Sequence, residues 1–569
     1  MRVLGLEGTA WNASASVYDA ERDEVLSLES DPYEPDSGGI HPREASEHIA
    51  DAIVPAMERA LDAAADGDGR PGDAGAAVDD AGSRAAGEPP VDAVAFSRGP
   101  GLGPCLRAVA ACARAAALGR DVPLVGVNHT VAHVEMGRWH SGFDDPVALD
   151  AAGANTLVAA YRGDRYRVLG ETLDTGVGNA LDKLARHADL SHPGGPKLEE
   201  LAAEATPEGP AEDDDLLDLP YTVKGMDFAF SGVVTAAQSH LDDGAALPDV
   251  AHSFQEHVFA ALTEVAERAL ALTRNDALVV GGGVAANERL RGMLEAMCED
   301  RGARFHSPPL EYLGDNSAMI AVTGAKMAEA GDTVAVEEST VRPDWRPDDD
   351  AVAWREDRPA TPTADGELVQ GAEAAVSFEG DVVRKRRAPK RYRHPALDAT
   401  LRRRRTASEA RLTAKARRTG TATPAVLDVD RRETTLTLQL VGADGEPSPD
   451  LTAVLDADSE PTVEPGTVGA AVADALEGLH AAGIAHGDPT VRNLLWRDGR
   501  LWLIDFGLAY ETRDVEDFGM DVHVVRQSLA GTADAPDAVM DGFWDGYDWE
   551  RADLVEERAA AIAGRGRGR

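Results

Sequence analysis

Cysteine is scarce in this chain: Cys105, Cys112 and Cys298 are the only three among 569 residues, and no two form a CxxC pair. An odd, scattered set excludes a disulfide framework, so all three read as packed small residues. Basic residues are outnumbered, 56 Lys and Arg against 100 Asp and Glu, for a formal net charge of -44. Lys is rare beside Arg, and aromatics make up only 5%. Acidity of this kind argues against nonspecific nucleic-acid binding. Spread over most of the chain, it fits a surface adapted to molar salt better than a specifically acidic protein, because the Debye length at about 1 M is roughly 3 Å and self-repulsion is screened. Long apolar runs are also missing. Met1-Arg2-Val3-Leu4-Gly5-Leu6 enters a short strand directly, which predicts no signal peptide, no membrane span and a cytoplasmic protein.

What is present falls into two halves. At about 150 residues per domain the length fits three to four folding units. Residues 62–90, dominated by Ala, Gly, Asp and Pro, read as a surface insertion, and the Pro-, Asp- and Glu-rich stretch from Gly331 to Gln370 as an inter-domain linker. The expected organisation is 1–345, a linker at 346–367, and 368–569. The first half alternates strands and helices. Val3 to Leu6, the turn Glu7-Gly8-Thr9 and Ala13 to Tyr18 read as a hairpin, and a comparable strand-turn-strand recurs at Pro146 to Ala160. A third glycine turn, Gly281 to Gly283, follows the strand Ala277 to Val280. Two similar lobes with phosphate turns facing a cleft predict an α/β fold of the actin-like and sugar-kinase-like, two-lobed ATPase class.

Gly99-Pro100-Gly101-Leu102-Gly103 superficially suggests a dinucleotide fingerprint, but the next strand ends in Asn128-His129 rather than in an acidic residue for a ribose. His129 and His133 stand one helical turn apart, so both imidazoles can reach one metal. The intervening position of a zinc protease would carry a general-base Glu; here it is Thr130, and peptide hydrolysis is not indicated.

These residues, with Gly170 to Asp174, Gly178 to Lys183, His192 to Lys197, Lys224 to Ser231, Gly282 to Arg291 and Gly314-Asp315-Asn316, resemble the tRNA N6-adenosine threonylcarbamoyltransferase family, the catalytic subunit of the archaeal and eukaryotic KEOPS complex, formerly the sialoglycoprotein endopeptidase family. The resemblance covers residues 1 to about 345. It implies His129, His133 and Asp315 as ligands of one metal ion, iron(II) in expectation with zinc or another ion as alternatives. It also implies that Asp182, Gly195, Glu199, Asn287 and the loop from Asp150 through Ala151, Ala152, Gly153 and Ala154 contact a threonylcarbamoyl-AMP substrate. That loop departs from the family pattern: Asp150 stands where relatives carry a tyrosine ligand, so a carboxylate is a candidate fourth ligand. The implied reaction moves threonylcarbamoyl to N6 of the adenine 3′ of the anticodon in tRNAs reading codons that begin with A.

The second half carries His486-Gly487-Asp488-Pro489-Thr490-Val491-Arg492-Asn493 followed by Asp505-Phe506-Gly507, the order of a kinase catalytic loop and its metal-binding turn. In that template Asp488 orients or deprotonates a nucleophile, Asn493 and Asp505 hold Mg2+, and Lys385 paired with Glu409 clamps the phosphates of ATP. Gly371-Ala372-Glu373-Ala374 replaces a full glycine loop, no Ala-Pro-Glu segment follows Gly507, and the remaining length is short for a full C-lobe. These motifs, with Lys385 to Pro395 and Arg405 to Arg411, resemble the small kinase-like ATPase subunit of the same complex, an atypical α+β protein-kinase fold with Gly371 and Ala372 among its ATP contacts. Its implied role is ATP hydrolysis in support of tRNA modification, with incidental Ser/Thr kinase activity and other small KEOPS subunits as partners. Arg384 to Arg387, Lys390, Arg391, Arg393 and Arg402 to Arg405 concentrate positive charge in an acidic chain. They predict a polyanionic partner, with Arg402, Arg403 and Arg404 as tRNA contacts, unless they form only a solvated helix face. The leading expectation is a bifunctional tRNA-modifying enzyme. A metalloprotease fused to a Ser/Thr kinase is the alternative, and a small-metabolite kinase of the actin-like class a third reading.

Overall fold

Short apolar and small polar residues alternate along the first strands, and both strand faces become buried. β1 (Arg2–Glu7), β2 (Asn12–Asp19) and β3 (Glu24–Pro32) form an antiparallel ladder. α1 (Pro42–Asp66), β4 (Ala93–Gly99), α2 (Gly103–Arg120) and β5 (Leu124–Asn128) follow, with both new strands parallel to β1, and α3 (His129–Ser141) leaves the end of β5. The sheet order is β3-β2-β1-β4-β5.

The second lobe repeats the pattern. β6 (Val147–Ala151), β7 (Thr156–Arg162) and β8 (Arg165–Glu171) are antiparallel. α4 (Val177–His187), α5 (Gly194–Ala205), the small hairpin β9 (Val223–Lys224) and β10 (Asp227–Phe228), α6 (Ser231–Asp242) and α7 (Leu247–Thr273) come next. β11 (Ala277–Gly281), α8 (Glu288–Arg301) and β12 (Arg304–His306) complete a sheet ordered β8-β7-β6-β11-β12, and α9 (Ser317–Glu329) crosses back onto β1 and β2. This duplicated order is the actin-like arrangement, two α/β lobes around a cleft.

The structure, a computed structural model, describes residues 1–33, 41–66, 91–205, 216–355, 369–443, 445–456 and 463–565. α1 continues to Asp66, so residues 62–66 of the stretch read as an insertion are helical, and 67–90 lie outside the described residues. Within 346–367, residues 346–355 are tied to the first half: Arg346 forks onto Glu171 at 3.0 and 3.1 Å, Val352 is buried, and Arg355 donates to the Tyr166 hydroxyl at 2.8 Å. Residues 356–367 lie outside the described residues.

The other half opens with β13 (Val369–Gln370), β14 (Ala375–Glu379), β15 (Val382–Arg386), α10 (Pro395–Arg418), β16 (Val426–Asp430) and β17 (Thr435–Gln439). Its antiparallel sheet is ordered β13-β14-β15-β17-β16. Then come the hairpin β18 (Gly442–Ala443) and β19 (Glu446–Pro447), the single turn α11 (Leu451–Val454), and α12 (Pro465–Ala481). β20 (Ile484–Ala485), β21 (Leu494–Arg497), β22 (Arg500–Leu503) and β23 (Tyr510–Glu511) frame the catalytic loop, and α13 (Val515–Thr532), α14 (Pro536–Gly546) and α15 (Ala552–Gly564) finish a helical lobe. This is the expected kinase-like α+β pattern. Among the described residues no helix is long and apolar enough to cross a membrane.

The halves meet along α7. Glu264 receives Arg393 Nη2 at 2.6 Å and Arg405 Nη2 at 3.0 Å, and Glu267 receives Lys390 Nζ at 2.5 Å and the Tyr392 hydroxyl at 3.2 Å. Arg492 donates to the Leu272 carbonyl at 3.0 Å, capping the C-terminal turn of α7. The basic run therefore finds much of its polyanion inside the chain. Neither a tRNA contact nor a solvated face describes Lys390, Arg393 or Arg405, which are drawn onto acidic residues of a helix far away in sequence.

Gly5 marks the closest approach of β1 and α9: a Cβ there would lie 2.5 Å from the Ser317 carbonyl oxygen and 2.6 Å from Ala321 N. Both are backbone atoms that cannot rotate away. Gly5→Ala is expected to destabilise the first half by about 2 kcal/mol through overpacking, read as a lower midpoint in chemical denaturation.

Candidate functional site

Asparagine caps place the first site. Asn128 accepts from Val131 N at 3.1 Å and starts α3 so that His129 and His133 share a face; Asn316 accepts from Met319 N at 3.2 Å and starts α9 just after Asp315. Asp315 Oδ1 lies 3.4 Å from His129 Nε2 and 3.3 Å from His133 Nε2, and the three ligand atoms fall within 4.8 Å of one another. Glu7 was not singled out by sequence, yet it organises this group. Its Oε1 accepts from Thr9 N at 2.7 Å and its Oε2 lies 3.1 Å from His129 Nδ1, which orients the ring and leaves Nε2 toward Asp315. Burial alone would lower the His129 pKa, but the Glu7 and Asp315 carboxylates raise it well above the ordinary histidine value.

The cluster fits a cation. Asp150, at the end of β6, has a buried Oδ1 without a hydrogen-bond partner among the described residues. Burial raises its pKa, and Asp315 adds to the rise while His133 and His129 oppose it; Asp150 does not belong to the three-atom group. Two imidazoles and one or two carboxylates suit a borderline divalent metal.

Beside it lie the glycine turns. Ala151, Ala152, Gly153 and Ala154 pass so close to the start of α4 and to the turn after β11 that a Cβ at Gly178 would lie 2.7 Å from Gly153 Cα, and one at Gly282 2.5 Å from the Ala151 carbonyl carbon. Gly282 also has φ 82°, so only glycine serves there without strain. The predicted adenylate contacts come together in hydrogen-bonded pairs. Asp182 Oδ1 accepts from Gly194 N, next to Gly195, at 2.8 Å; Glu199 Oε1 accepts from Glu288 N, next to Asn287, at 2.8 Å. Asn287 caps α8 through Leu290 N at 3.1 Å and donates Nδ2 to Gln255 of α7, also at 3.1 Å. Gln255, inside a long helix, carried no sequence signal.

In the second site Lys385 Nζ on β15 lies 2.9 Å from Glu409 Oε1 on α10 and 2.5 Å from Asp505 Oδ1. Asn493 Nδ2 donates to the Asp488 carbonyl at 2.8 Å and to its Oδ2 at 3.1 Å. Gly371 and Ala372 form a tight turn, Gly371 N donating to the Ala374 carbonyl at 3.0 Å. The structure thus joins Lys385, Glu409 and Asp505 in one cluster and Asp488 with Asn493 in a pair. Burial pushes the Asp488 pKa up to about 7, with Asp505 and Glu373 adding to the rise and Arg268 opposing it. Arg268, from the first half, is in ion-pair contact with Asp488 Oδ1. Glu373 is caged as well: burial disfavours its ionised form, yet the guanidinium groups of Arg405, Arg387, Arg268 and Arg393 hold its carboxyl well below the usual range.

Asp521 on α13 was also missed. It accepts from His486 N at 2.7 Å, Gly487 N at 2.8 Å and His480 Nε2 at 3.1 Å, fixing the catalytic loop from below. His486 Nε2 faces the Ile504 carbonyl at 3.0 Å and its Nδ1 faces Asp488 N at 3.3 Å, which assigns the Nε2–H tautomer of a ring that burial keeps neutral.

Of the predicted tRNA contacts, Arg402 is engaged by Asp398 at 2.6 Å, while Arg403 and Arg404 are exposed and share a shallow hollow with Arg431.

Asp521→Ala leaves these buried donors without their acceptor. The expected result is a loss of about 3–5 kcal/mol in unfolding free energy for the second half, with loss of ATP hydrolysis, measured by denaturant titration and phosphate release.

Comparison with known proteins matches both halves of the chain. Residues 74–322 match the family model of tRNA N6-adenosine threonylcarbamoyltransferase, and residues 369–517 that of the lipopolysaccharide kinase (Kdo/WaaP) family. The chain is 53% identical to a probable bifunctional tRNA threonylcarbamoyladenosine biosynthesis protein of Halobacterium salinarum, covering 100% of this chain and 98% of that one. It is 50% identical to the protein of that name from Haloarcula marismortui, covering 100% of both chains, and 46% identical to that of Methanospirillum hungatei, covering 98% and 96%. The chain belongs to the family of bifunctional tRNA threonylcarbamoyladenosine biosynthesis proteins, in which a threonylcarbamoyltransferase domain and a kinase-like domain share one polypeptide.

Proposed function

We propose that this chain transfers a threonylcarbamoyl group from threonylcarbamoyl-AMP to N6 of the adenine 3′ of the anticodon, and that its second half hydrolyses ATP in support of that reaction. The observation carrying this reading is that both constellations close up in space, in one chain similar to bifunctional relatives over its whole length. Residues 1–345 would form the transferase and 368–569 the ATPase. The protease–kinase alternative lacks its chemistry: Thr130 stands where the general-base carboxylate would be needed.

In the transferase, His129, His133 and Asp315, with Asp150 beside them, would hold a divalent metal, iron(II) in the first instance. When bound, it supplies Lewis-acid polarisation and a fixed positive charge. Asp182, Gly195, Glu199 and Asn287 orient the adenylate, and backbone N–H groups of the glycine turns face its phosphate. The adenine N6 forms the new C–N bond to the carbamoyl carbon and loses a proton, while the C–O bond to AMP breaks. An exocyclic amine is a weak nucleophile because its lone pair is delocalised, so orientation of both partners carries much of the rate. In the ATPase, Lys385 and Glu409 clamp the phosphates, Asn493 and Asp505 would hold Mg2+, and Asp488 orients the attacking water. Small partner subunits of the same complex and a cytoplasmic setting belong to this proposal. So does a high-salt interior, which the acidic surface suits.

The decisive assay incubates the chain with tRNA, ATP and threonylcarbamoyl-AMP in high salt, with mass spectrometry of the nucleosides. Changing both His129 and His133 to Ala should abolish bound metal and modified adenosine yet keep ATP hydrolysis near wild type. Full metal occupancy in that variant would overturn the ligand assignment. Arg403→Glu with Arg404→Glu should weaken tRNA binding and flatten its salt dependence by about one unit per lost phosphate contact, with ATP affinity unchanged. Wild-type tRNA affinity at every salt concentration would remove these arginines from the tRNA surface.

A further inference from the structure

The tip of the β13–β14 turn does something that the ATPase reading does not require. Where a protein kinase lays a glycine loop over the phosphates, this chain presents Glu373, and the side chain is folded inward with 13% of its surface exposed. Its carboxylate lies among three guanidinium groups: Arg405 Nη1 at 2.7 Å, Arg387 Nη2 at 3.8 Å and Arg268 Nη1 at 3.9 Å. It also faces the metal-binding turn, since a Cβ on Gly507 would lie 3.6 Å from Glu373 Oε2 and 3.1 Å from Asp505 Oδ1. The carboxylate thus lies beside the Asp505 turn and shares Arg268 with Asp488, and in the kinase template both aspartates face the phosphates of the nucleotide.

The arginines offer more donors than this one anion uses. Arg387 is 2% exposed, and its Nε and Nη1 make no hydrogen bond among the described residues; Arg268 Nη1, 6% exposed as a residue, makes none either. Buried guanidinium donors without acceptors are costly, and an anion that completed them would remove that cost. Each arginine is also anchored by a second carboxylate, Arg387 by Glu409 at 2.7 Å, Arg405 by Glu264 at 3.0 Å and Arg268 by Asp488; a group with three anionic oxygens can take up the donors that remain better than a group with two.

We propose that Arg268, Arg387 and Arg405 form a receptor for the terminal phosphate of the nucleotide, and that Glu373 fills this receptor as a phosphate surrogate until the nucleotide displaces it. The proposal rests on the ATPase reading above and assigns that site a phosphate subsite and a latch. One member of the receptor, Arg268, belongs to α7, whose Gln255 is bonded to Asn287 at the transferase site roughly 20 Å away along the helix, at about 1.5 Å per residue. Entry of a phosphate therefore changes the ion pairing of the helix that the two sites share.

The test compares affinities of the full chain for ATP, ADP and AMP by calorimetry in high salt with Mg2+. A closed latch lowers apparent affinity by the fraction of molecules that are open, so Glu373→Gln should tighten ATP by about tenfold if roughly one molecule in ten is open at rest. AMP, which carries no phosphate into the receptor, should bind both proteins alike. Arg268→Ala should weaken ATP more than ADP and leave AMP unchanged, and Arg268→Lys should restore part of the loss. Thermal unfolding of each variant separates misfolding from lost binding, and inorganic phosphate, binding Glu373→Gln more tightly than wild type, gives a readout that needs no nucleoside. Unchanged or weaker ATP binding by folded Glu373→Gln, beside normal ATP binding by wild type, would overturn the latch and leave the ATPase reading standing. A wild type that binds no ATP would overturn both.

Discussion

The molecule depends on the burial of charge along α7. That helix is enclosed on almost every side, and Glu256, Glu264, Glu267 and Arg268 go into the interior with it. Charges taken out of water are costly unless they are paired and hydrogen-bonded. Glu256 pairs with Arg289 of its own half, but the other three draw partners from the other half of the chain: Arg393 and Arg405 on Glu264, Lys390 and Tyr392 on Glu267, and Asp488 on Arg268. Neither half can satisfy this network alone, so the halves are bound to one another by charge compensation as well as by the chain between them.

That compensation also positions the chemistry. Arg492 of the catalytic loop caps the last turn of α7, and Asp488, four residues earlier, meets Arg268, so the loop is seated on the helix from two points. Asp521 holds it from the opposite side through two backbone N–H groups. Toward its other end α7 presents Gln255 to Asn287 and pairs Glu256 with Arg289 at 2.6 Å, both beside the predicted adenylate site. The small hairpin β9–β10 adds a further join: Asp227 accepts from Glu171 N at 2.9 Å and from Gln527 Nε2 at 3.3 Å, so the Lys224 to Asp227 motif lies at the boundary between the halves.

Local patterns made much of this legible. The hairpin at Val3 to Tyr18, its echo at Pro146 to Ala160 and the glycine turn after Val280 announced a duplicated actin-like sheet, because short-range alternation and turn chemistry act within a few residues. Asp488, Asn493 and Asp505 were readable for the same reason, their spacing reflecting one compact loop. The basic run was misleading on its own: its composition suggested a partner outside the chain, but Lys390, Arg393 and Arg405 face inward. Counting charge along a segment cannot tell which side chains point at solvent.

By itself, the sequence determined the two-part organisation, the strand and turn pattern of each half and the motifs that carry the candidate site residues, all properties carried by residues close together in the chain. Tertiary structure alone decided which distant groups support them. Glu7 reaches His129 across the first sheet, Gln255 reaches Asn287, Asp521 reaches the catalytic loop, and Arg268 crosses into the kinase-like cleft. No local pattern encodes such pairs. They arise because burying an ionised or hydrogen-bonding group obliges the fold to bring it a partner, and that partner is set by how the lobes pack rather than by spacing along the chain.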